Sequence, residues 1–165
     1  MNKYCTYCGS EHTSNEVHKL CPNCKQTTWV NPTPVAVLLQ PVWNHNNIDV
    51  GILIGQRGIL PKLGEWGLIG GHVEKTDRSF EHAAVRELEE ETGLKVSADD
   101  VRLMGSYCNG NQLLVFCRSV RTITVQDLQS FEPNHECTAV DVAWGTRELC
   151  FPSHTEYLAK WFAEQ

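Results

Sequence analysis

The run Arg86-Glu87-Leu88-Glu89-Glu90-Glu91-Thr92, closed by Gly93-Leu94, constrains this chain more than any other stretch. Glu87, Glu90 and Glu91 stand at i, i+3 and i+4, so on a helix their carboxylates share one face. Like charges so placed repel by a few tenths of a kcal/mol per pair. A folded chain tolerates that where something positive neutralises it. A cluster of hard oxygen ligands is what Mg²⁺ or Mn²⁺ binds, together with waters and phosphate oxygens. A plain solvated acidic face is the simpler alternative.

The residues upstream give the run a context. Gly70-Gly71-His72-Val73-Glu74 closes a strand-like stretch, Glu65-Trp66-Gly67-Leu68-Ile69. A helix follows from Asp77 onward, with Asp77 or Ser79 as its cap. Phe80, Ala84 and Leu88 form an apolar stripe at i, i+4 and i+8. Gly93 suits the left-handed turn that ends a helix. The sequence therefore predicts strand, glycine loop, amphipathic helix and glycine stop, with the carboxylates on the face away from the stripe.

This unit resembles the Nudix box, the signature of the Nudix hydrolases. The second half of that pattern is matched in full by Arg86, Glu87, Leu88, Glu90, Glu91, Gly93 and Leu94. The first half departs from it. Five residues separate Gly71 from Asp77, which stands where the family has Glu, and eight residues rather than seven then lead to Arg86. One residue is inserted in the Thr76-Asp77-Arg78 turn, ahead of the helix. Gly55-Gln56-Arg57 and Gly64-Glu65-Trp66 also look like the family.

The resemblance implies roles for particular residues. Glu90 and Glu91 would be the main ligands of Mg²⁺ or Mn²⁺, and the carbonyl of Gly71 would complete the metal shell. Glu87 would be a further ligand or the base that deprotonates the attacking water. Arg86 would orient the glutamates by a charged hydrogen bond. Glu74 is a candidate metal-facing carboxylate, and Glu136, on a loop after the box, a candidate catalytic or metal-binding glutamate. Arg57 is a candidate for a phosphate or a terminal ribose. Trp66 and Trp144 are candidates for stacking on a base, although large aromatics usually belong to the core. The chemistry implied is hydrolysis of a pyrophosphate, whose charge slows attack by water until cations neutralise it.

Composition agrees. At 165 residues, 41% hydrophobic and 21% charged, the chain has room for a real core. Its net charge of −6 offers no broad electrostatic footprint for nucleic acid. No apolar run is long enough to span a membrane. The beginning, Met1-Asn2-Lys3-Tyr4-Cys5, lacks the apolar region of a signal peptide. The expectation is a cytoplasmic protein with reduced thiols.

The eight cysteines fall into two sets. Cys5, Cys8, Cys21 and Cys24 form two Cys-x-x-Cys pairs twelve residues apart, the pattern of a tetrahedral Zn²⁺ site with four thiolate ligands. Two disulfides or a redox pair are the alternatives. Such a site is closed, hence structural. His12 and His18, between the pairs, read as surface residues. Cys108, Cys117, Cys137 and Cys150 have no metal spacing and read as buried small hydrophobes. Residues 1–30 carry only Lys3, Lys19 and Lys25 as positive charges, which favours a packing or dimer-supporting module over a nucleic-acid clamp.

The boundary falls at Asn31-Pro32-Thr33-Pro34, giving a zinc ribbon over 1–30 and a Nudix domain over 31–165. Val35 to Val42 and Asp49 to Gly55 read as strands around a polar turn from Trp43 to Asn47. Val101 to Tyr107 and Gln112 to Val120 read as a hairpin on Cys108-Asn109-Gly110-Asn111. Thr138 to Trp144 is a further strand. His154 to Glu164 is a closing helix, with Tyr157, Leu158, Trp161 and Phe162 on its apolar face. The fold class is α/β, an α/β/α Nudix sandwich around a mixed sheet.

A ribbon ahead of such a domain resembles the small pyrophosphatases that act on ADP-ribose, FAD or NADH. The Ser-Gln-Pro-Trp-Pro-Phe-Pro element of the NADH enzymes is missing, so ADP-ribose or FAD stand ahead of NADH as substrates. The rivals are a nucleotide sensor without catalysis and an RNA-end (decapping) enzyme. A sensor would lose the helix glutamates, and a decapping enzyme would want a basic surface. A homodimer is a family-based expectation.

Overall fold

The structure, a computed structural model, describes residues 3–13, 18–46 and 48–165. Met1 and Asn2 of the N-terminal stretch, and Asn47 of the expected Trp43–Asn47 turn, lie outside the described residues. The chain divides into two compact units, Met1–Thr33 and Pro34–Gln165.

The first unit holds two cysteine knuckles and a two-stranded antiparallel sheet, β1 (Lys19–Leu20) with β2 (Thr27–Thr28). The knuckles repeat one geometry. Cys5 N–H donates to Ser10 O and Gly9 N–H returns to Cys5 O, at 2.8 and 2.9 Å. Cys21 N–H donates to Gln26 O and Lys25 N–H to Cys21 O, at 2.8 and 3.1 Å. The residue after each second cysteine is left-handed, Gly9 at φ 72 and Lys25 at φ 61.

The second unit is built on two sheets. One has the order β10 (Ile123–Thr124), β4 (Pro41–Trp43), β5 (Val50–Arg57), β11 (Cys137–Ala143), with β6 (Trp66–Gly67) also paired to β5. β10 runs parallel to β4 and the other pairs are antiparallel, so this sheet is mixed. The other sheet has the order β7 (Ile69–His72), β3 (Thr33–Leu39), β9 (Gln112–Ser119), β8 (Val101–Cys108).

Two helices cover opposite faces of these strands. α1 (Phe80–Thr92) buries Ala83, Ala84 and Leu88 against Ala36 and Leu38 of β3, Leu53 of β5 and Cys117 of β9. α2 (Pro152–Ala163) buries Tyr157, Leu158 and Trp161 against Val35, Val37 and Leu39, Ile52 and Ile54, and Leu114 and Phe116. Alternate residues of one strand thus serve opposite layers, as the two-residue period of a strand requires. That explains why the strands read as nearly continuous apolar runs. The fold is an α/β/α sandwich.

Two strands are divided where the sequence predicts one. The Val35–Val42 run breaks at Gln40, which is fully buried and leaves the β3 sheet for that of β4. Its side-chain amide donates to Arg121 O at 2.7 Å and Pro41 O at 3.0 Å, while its backbone carbonyl accepts from Leu53 N–H. The Glu65–Ile69 run breaks at Leu68. There the buried imidazole of His154 accepts the Leu68 N–H through Nδ1 at 3.1 Å, and the chain passes from β6 to β7 between sheets. Helix α2 begins at Pro152, two residues before the expected start, with proline in the first turn. No helix among the described residues is long and apolar enough to cross a membrane.

Candidate active site

Helix α1 is fixed at both ends. Ser79 is the N-cap and accepts the His82 N–H, and Gly93, left-handed at φ 75, closes the C-terminus on Glu89 O. Asp77 does not cap. Its carboxylate sits beside Arg86 instead. Oδ1 accepts from Nε at 3.1 Å and Oδ2 from Nη2 at 3.0 Å, a two-point match of fork to carboxylate. Oδ2 also accepts the Glu74 N–H at 2.8 Å. The Arg86 hydrogen bonds hold the Asp77 carboxyl below the usual carboxylate range.

Arg86 spends its remaining donors on the site. Nη1 reaches Glu87 Oε1 at 2.9 Å and Glu90 Oε2 at 2.6 Å, and Nη2 reaches the His72 carbonyl at 2.9 Å. One guanidinium therefore ties the loop turn, the end of β7 and two glutamates of α1 together.

Glu87 does not lie on a solvated face as the helical pattern suggests; it is 6% exposed. Gly71 makes this possible, because a Cβ there would come within 2.5 Å of both carboxylate oxygens. Burial pushes the Glu87 carboxyl up, against the pull of Arg86. Glu91 is half-buried, accepts the Gly70 N–H at 3.3 Å, and is pushed up to about 8 by burial, with the charges of Glu87 and Glu136 adding to it. Glu90 is exposed.

Glu136 comes to this cluster on a loop pinned by Asn134. The Asn134 amide donates to the carbonyls of Glu90 and Glu91 at 3.2 and 3.0 Å, and its oxygen accepts the N–H of Glu136 and of Cys137, both at 2.9 Å. Gly58 N–H donates to Glu136 O at 2.7 Å. Asn134 is a residue the sequence reasoning missed. Its mark was the Asn-x-Glu spacing of a side-chain-capped turn.

These carboxylates line a cavity of about 560 Å³, within the range of small-molecule sites. Gly71, Glu74, Arg86, Glu87, Glu90, Glu91 and Glu136 are all in its walls. Arg57 is there too, its Nε on Pro61 O at 2.8 Å and its guanidinium 5.3 Å from the Phe151 ring. Trp66 is not in these walls; it packs on the core beside α2. Trp144 lies with Trp43 and Phe162 along a separate shallow groove.

Apolar side chains, Val35, Val37, Leu68, Leu114 and Phe151, also line the cavity. His154 is in its walls too, 6% exposed. Burial, aided by the Arg57 charge, pushes its pKa down to about 3, so the ring is neutral.

The donor set suits a hard divalent cation, since it is carboxylate and carbonyl oxygen. Glu87 and Glu90 share Arg86 Nη1, and Glu91 is held separately on the Gly70 N–H. Among the described residues, only the four cysteines bring three or more His, Cys, Asp or Glu ligand atoms within 4.8 Å of one another. An ion at the glutamates therefore keeps room for waters and substrate oxygens, as Mg²⁺ commonly does.

The cysteine group fits zinc by its spacing. Cys5 and Cys24 Sγ are 3.7 Å apart, Cys8 and Cys21 Sγ 3.6 Å. Zn–S bonds of about 2.3 Å put tetrahedral sulfurs about 3.8 Å apart. Backbone N–H groups of Tyr7 and Cys24 point at Cys5 and Cys21 Sγ, at 3.4 and 3.5 Å. His12 is not a surface residue as expected: its Nε2 meets the buried Thr28 hydroxyl at 3.2 Å. His18 is exposed, its ring 4.7 Å from that of Trp29 and tilted to it by 53°. Cys117, Cys137 and Cys150 are buried, whereas Cys108 is exposed at the end of β8, where the hairpin leaves the core.

Residues 32–162 match the family model described as the NUDIX domain. No curated protein matches the chain. Solved structures share the fold. The NUDIX hydrolase from Nitrosomonas europaea is 20% identical with a TM-score of 0.70, over 99% of this chain and 92% of that one. The MutT/nudix family protein from Enterococcus faecalis is 18% identical with a TM-score of 0.69, over 83% of this chain and 63% of that one, so this chain spans under two thirds of that protein. The NUDIX domain of Shewanella oneidensis NrtR, solved with ADP ribose, is 18% identical with a TM-score of 0.64, over 81% of this chain and 88% of that one.

Proposed function

This chain belongs to the NUDIX domain family of pyrophosphohydrolases, and from that premise we propose that its substrate is a nucleoside diphosphate joined to a second moiety, ADP-ribose or FAD ahead of NADH. The observation that carries this reading is a cavity whose walls combine carboxylates with apolar side chains. Glu87, Glu91 and Glu136 line it together with Val35, Val37, Leu68, Leu114 and Phe151. The carboxylates suit a cation-bound pyrophosphate and the apolar walls a nucleoside. The same fold holds ADP ribose in the NrtR domain.

In this reading Glu87, Glu90 and Glu91, with the Gly71 carbonyl, hold Mg²⁺ or Mn²⁺. The ion, when bound, neutralises pyrophosphate charge and lowers the pKa of a bound water. Glu136, or Glu87 where it is not a ligand, accepts the proton of the attacking water. Arg86 keeps the glutamates oriented, anchored by Asp77. Arg57 meets a phosphate oxygen near the cavity mouth. Cys5, Cys8, Cys21 and Cys24 hold a structural Zn²⁺.

The test is release of AMP or phosphate from ADP-ribose, FAD, NADH, diadenosine polyphosphates and nucleoside triphosphates, with Mg²⁺ and with Mn²⁺. Metal-dependent turnover of one or two dinucleotide-like substrates well above the rest is expected. Turnover of nucleoside triphosphates alone, or of nothing, would overturn the substrate class.

A further inference from the structure

The imidazole of His154 has a defined hydrogen-bonding polarity. Its Nδ1 accepts the Leu68 backbone N–H at 3.1 Å, and a backbone amide can only donate. The ring proton of the neutral imidazole is therefore on Nε2. A second proton on Nδ1 would face the Leu68 N–H directly, so the site excludes the imidazolium on geometric grounds alone.

That Nε2–H has no hydrogen-bond partner among the described residues, and the residue, 6% exposed, is in the cavity wall. A ligand that displaces water from this donor must supply an acceptor or leave it unmade, at a cost of about 1–3 kcal/mol. The ring is held from two sides, at 5.0 Å from Phe151 and 5.9 Å from Phe116, both edge-on. Beside it stands Ser153, also buried, whose hydroxyl has no partner among the described residues.

The surroundings choose the ligand's chemistry. Val37, Leu68, Leu114 and Phe151 line the same cavity as the donor. Such walls accept a flat ring and disfavour a polyhydroxylated sugar, whose several hydroxyls would be left unpaired.

We propose that His154 is a specificity-determining residue that donates its Nε2–H to an unprotonated ring nitrogen or ring carbonyl of the substrate's heterocyclic base, seated against the apolar walls of the cavity. This rests on the proposed function, since it assigns the nucleoside part of that substrate. A donor on the base at this point would meet Nε2–H head-on. His154 therefore selects bases by where they carry an acceptor, and rejects an analogue lacking it because its own donor is then covered and left unmade.

The experiment is equilibrium binding of AMP and its 1-deaza, 3-deaza and 7-deaza analogues to the wild-type chain, which needs no turnover. One analogue, missing the acceptor that His154 meets, is expected to bind about tenfold or more weakly than AMP. In His154→Leu that analogue and AMP should bind alike, both weakly. His154→Gln, which keeps an N–H donor, should restore part of the discrimination. A merely structural histidine would weaken all four ligands and leave their ratios unchanged. Equal binding of all four to the wild type, or ratios unaltered in both variants, would overturn the proposal. ADP-ribose hydrolysis measured in parallel separates the two readings. Turnover without base discrimination sinks only the His154 assignment, whereas discrimination without turnover of any substrate sinks the hydrolase substrate reading.

Discussion

Asp77 and Arg86 meet face to face, both carboxylate oxygens on one guanidinium at 3.1 and 3.0 Å. Asp77 stands where the sequence departs from the Nudix box, one residue early in the count to Arg86. The shorter side chain and the extra turn residue together return a carboxylate to the arginine. Asp77→Ala should therefore loosen Glu87 and Glu90 as well as the turn. The expected result is a loss of about 1–3 kcal/mol in stability, with turnover down at least tenfold, read by urea denaturation and by metal-dependent hydrolysis. Unchanged turnover would show that the glutamates need no such anchor.

That pair also shows what was legible in the sequence. Ser79, Gly93 and the stripe of Ala84 and Leu88 act as their local rules predict, because capping and helical period involve residues close in the chain. The partner of Asp77 is nine residues away, and local rules offered Asp77, beside Ser79, as a cap. The breaks at Gln40 and Leu68 were hidden for the same reason. Their stabilising bonds reach Arg121 and His154, 81 and 86 residues distant. The glutamates were visible as a set, but their unequal burial was not. It depends on Gly71 leaving space across the β7–α1 contact.

Adjacent glycines should behave differently when changed to alanine. At Gly70 a Cβ would meet the Ala36 carbonyl at 2.2 Å, and φ is 152, so backbone must shift. Gly70→Ala should destabilise the domain by several kcal/mol or prevent folding, the range expected where strain and overpacking coincide. At Gly71 the obstacle is the Glu87 carboxylate, the far end of a flexible side chain. Gly71→Ala should fold and lose most activity. Comparing melting temperature with turnover for the two variants checks the contrast.

Glu91 is held in a place its charge dislikes. Burial pushes its carboxyl up to about 8, with Glu87 and Glu136 adding repulsion. Glu91→Gln should remove the cost of charging or protonating that carboxyl while still accepting the Gly70 N–H. In the absence of divalent cation, melting should rise by a few degrees, as about 1 kcal/mol gives in a domain of this size. Turnover should fall on the order of 10³-fold, if the carboxylate supplies charge at the reacting centre. A variant less stable than wild type without cation would show that Glu91 contributes to the fold itself.

The cysteine group predicts one zinc per chain, retained through gel filtration and measured by elemental analysis. Cys8→Ser with Cys21→Ser should abolish it. Both knuckles depend on backbone bonds closed around their own sulfurs, so the N-terminal unit should become protease-sensitive at Lys19 and Lys25. Full resistance without zinc would remove the structural role.

The neutral His154 gives a pH signature. Its pKa is pushed down from 6.5 to about 3 in the folded chain. Between those values the unfolded chain takes up a proton that the folded chain refuses. Its contribution to stability is therefore full above about pH 6.5 and drains away as pH falls toward about 3, by about 1.4 kcal/mol per pH unit. Glu91 runs the other way, because its raised carboxyl binds the proton more tightly when folded. The slope of the wild type alone mixes the two. His154→Gln isolates the histidine, since Glu91 is common to both chains. Urea denaturation at about pH 7, 6 and 5 should find the wild-type advantage over His154→Gln shrinking with each step below 6.5. An advantage independent of pH would mean that the imidazole charges freely in the folded chain, and that its Nδ1 does not stay bonded to Leu68.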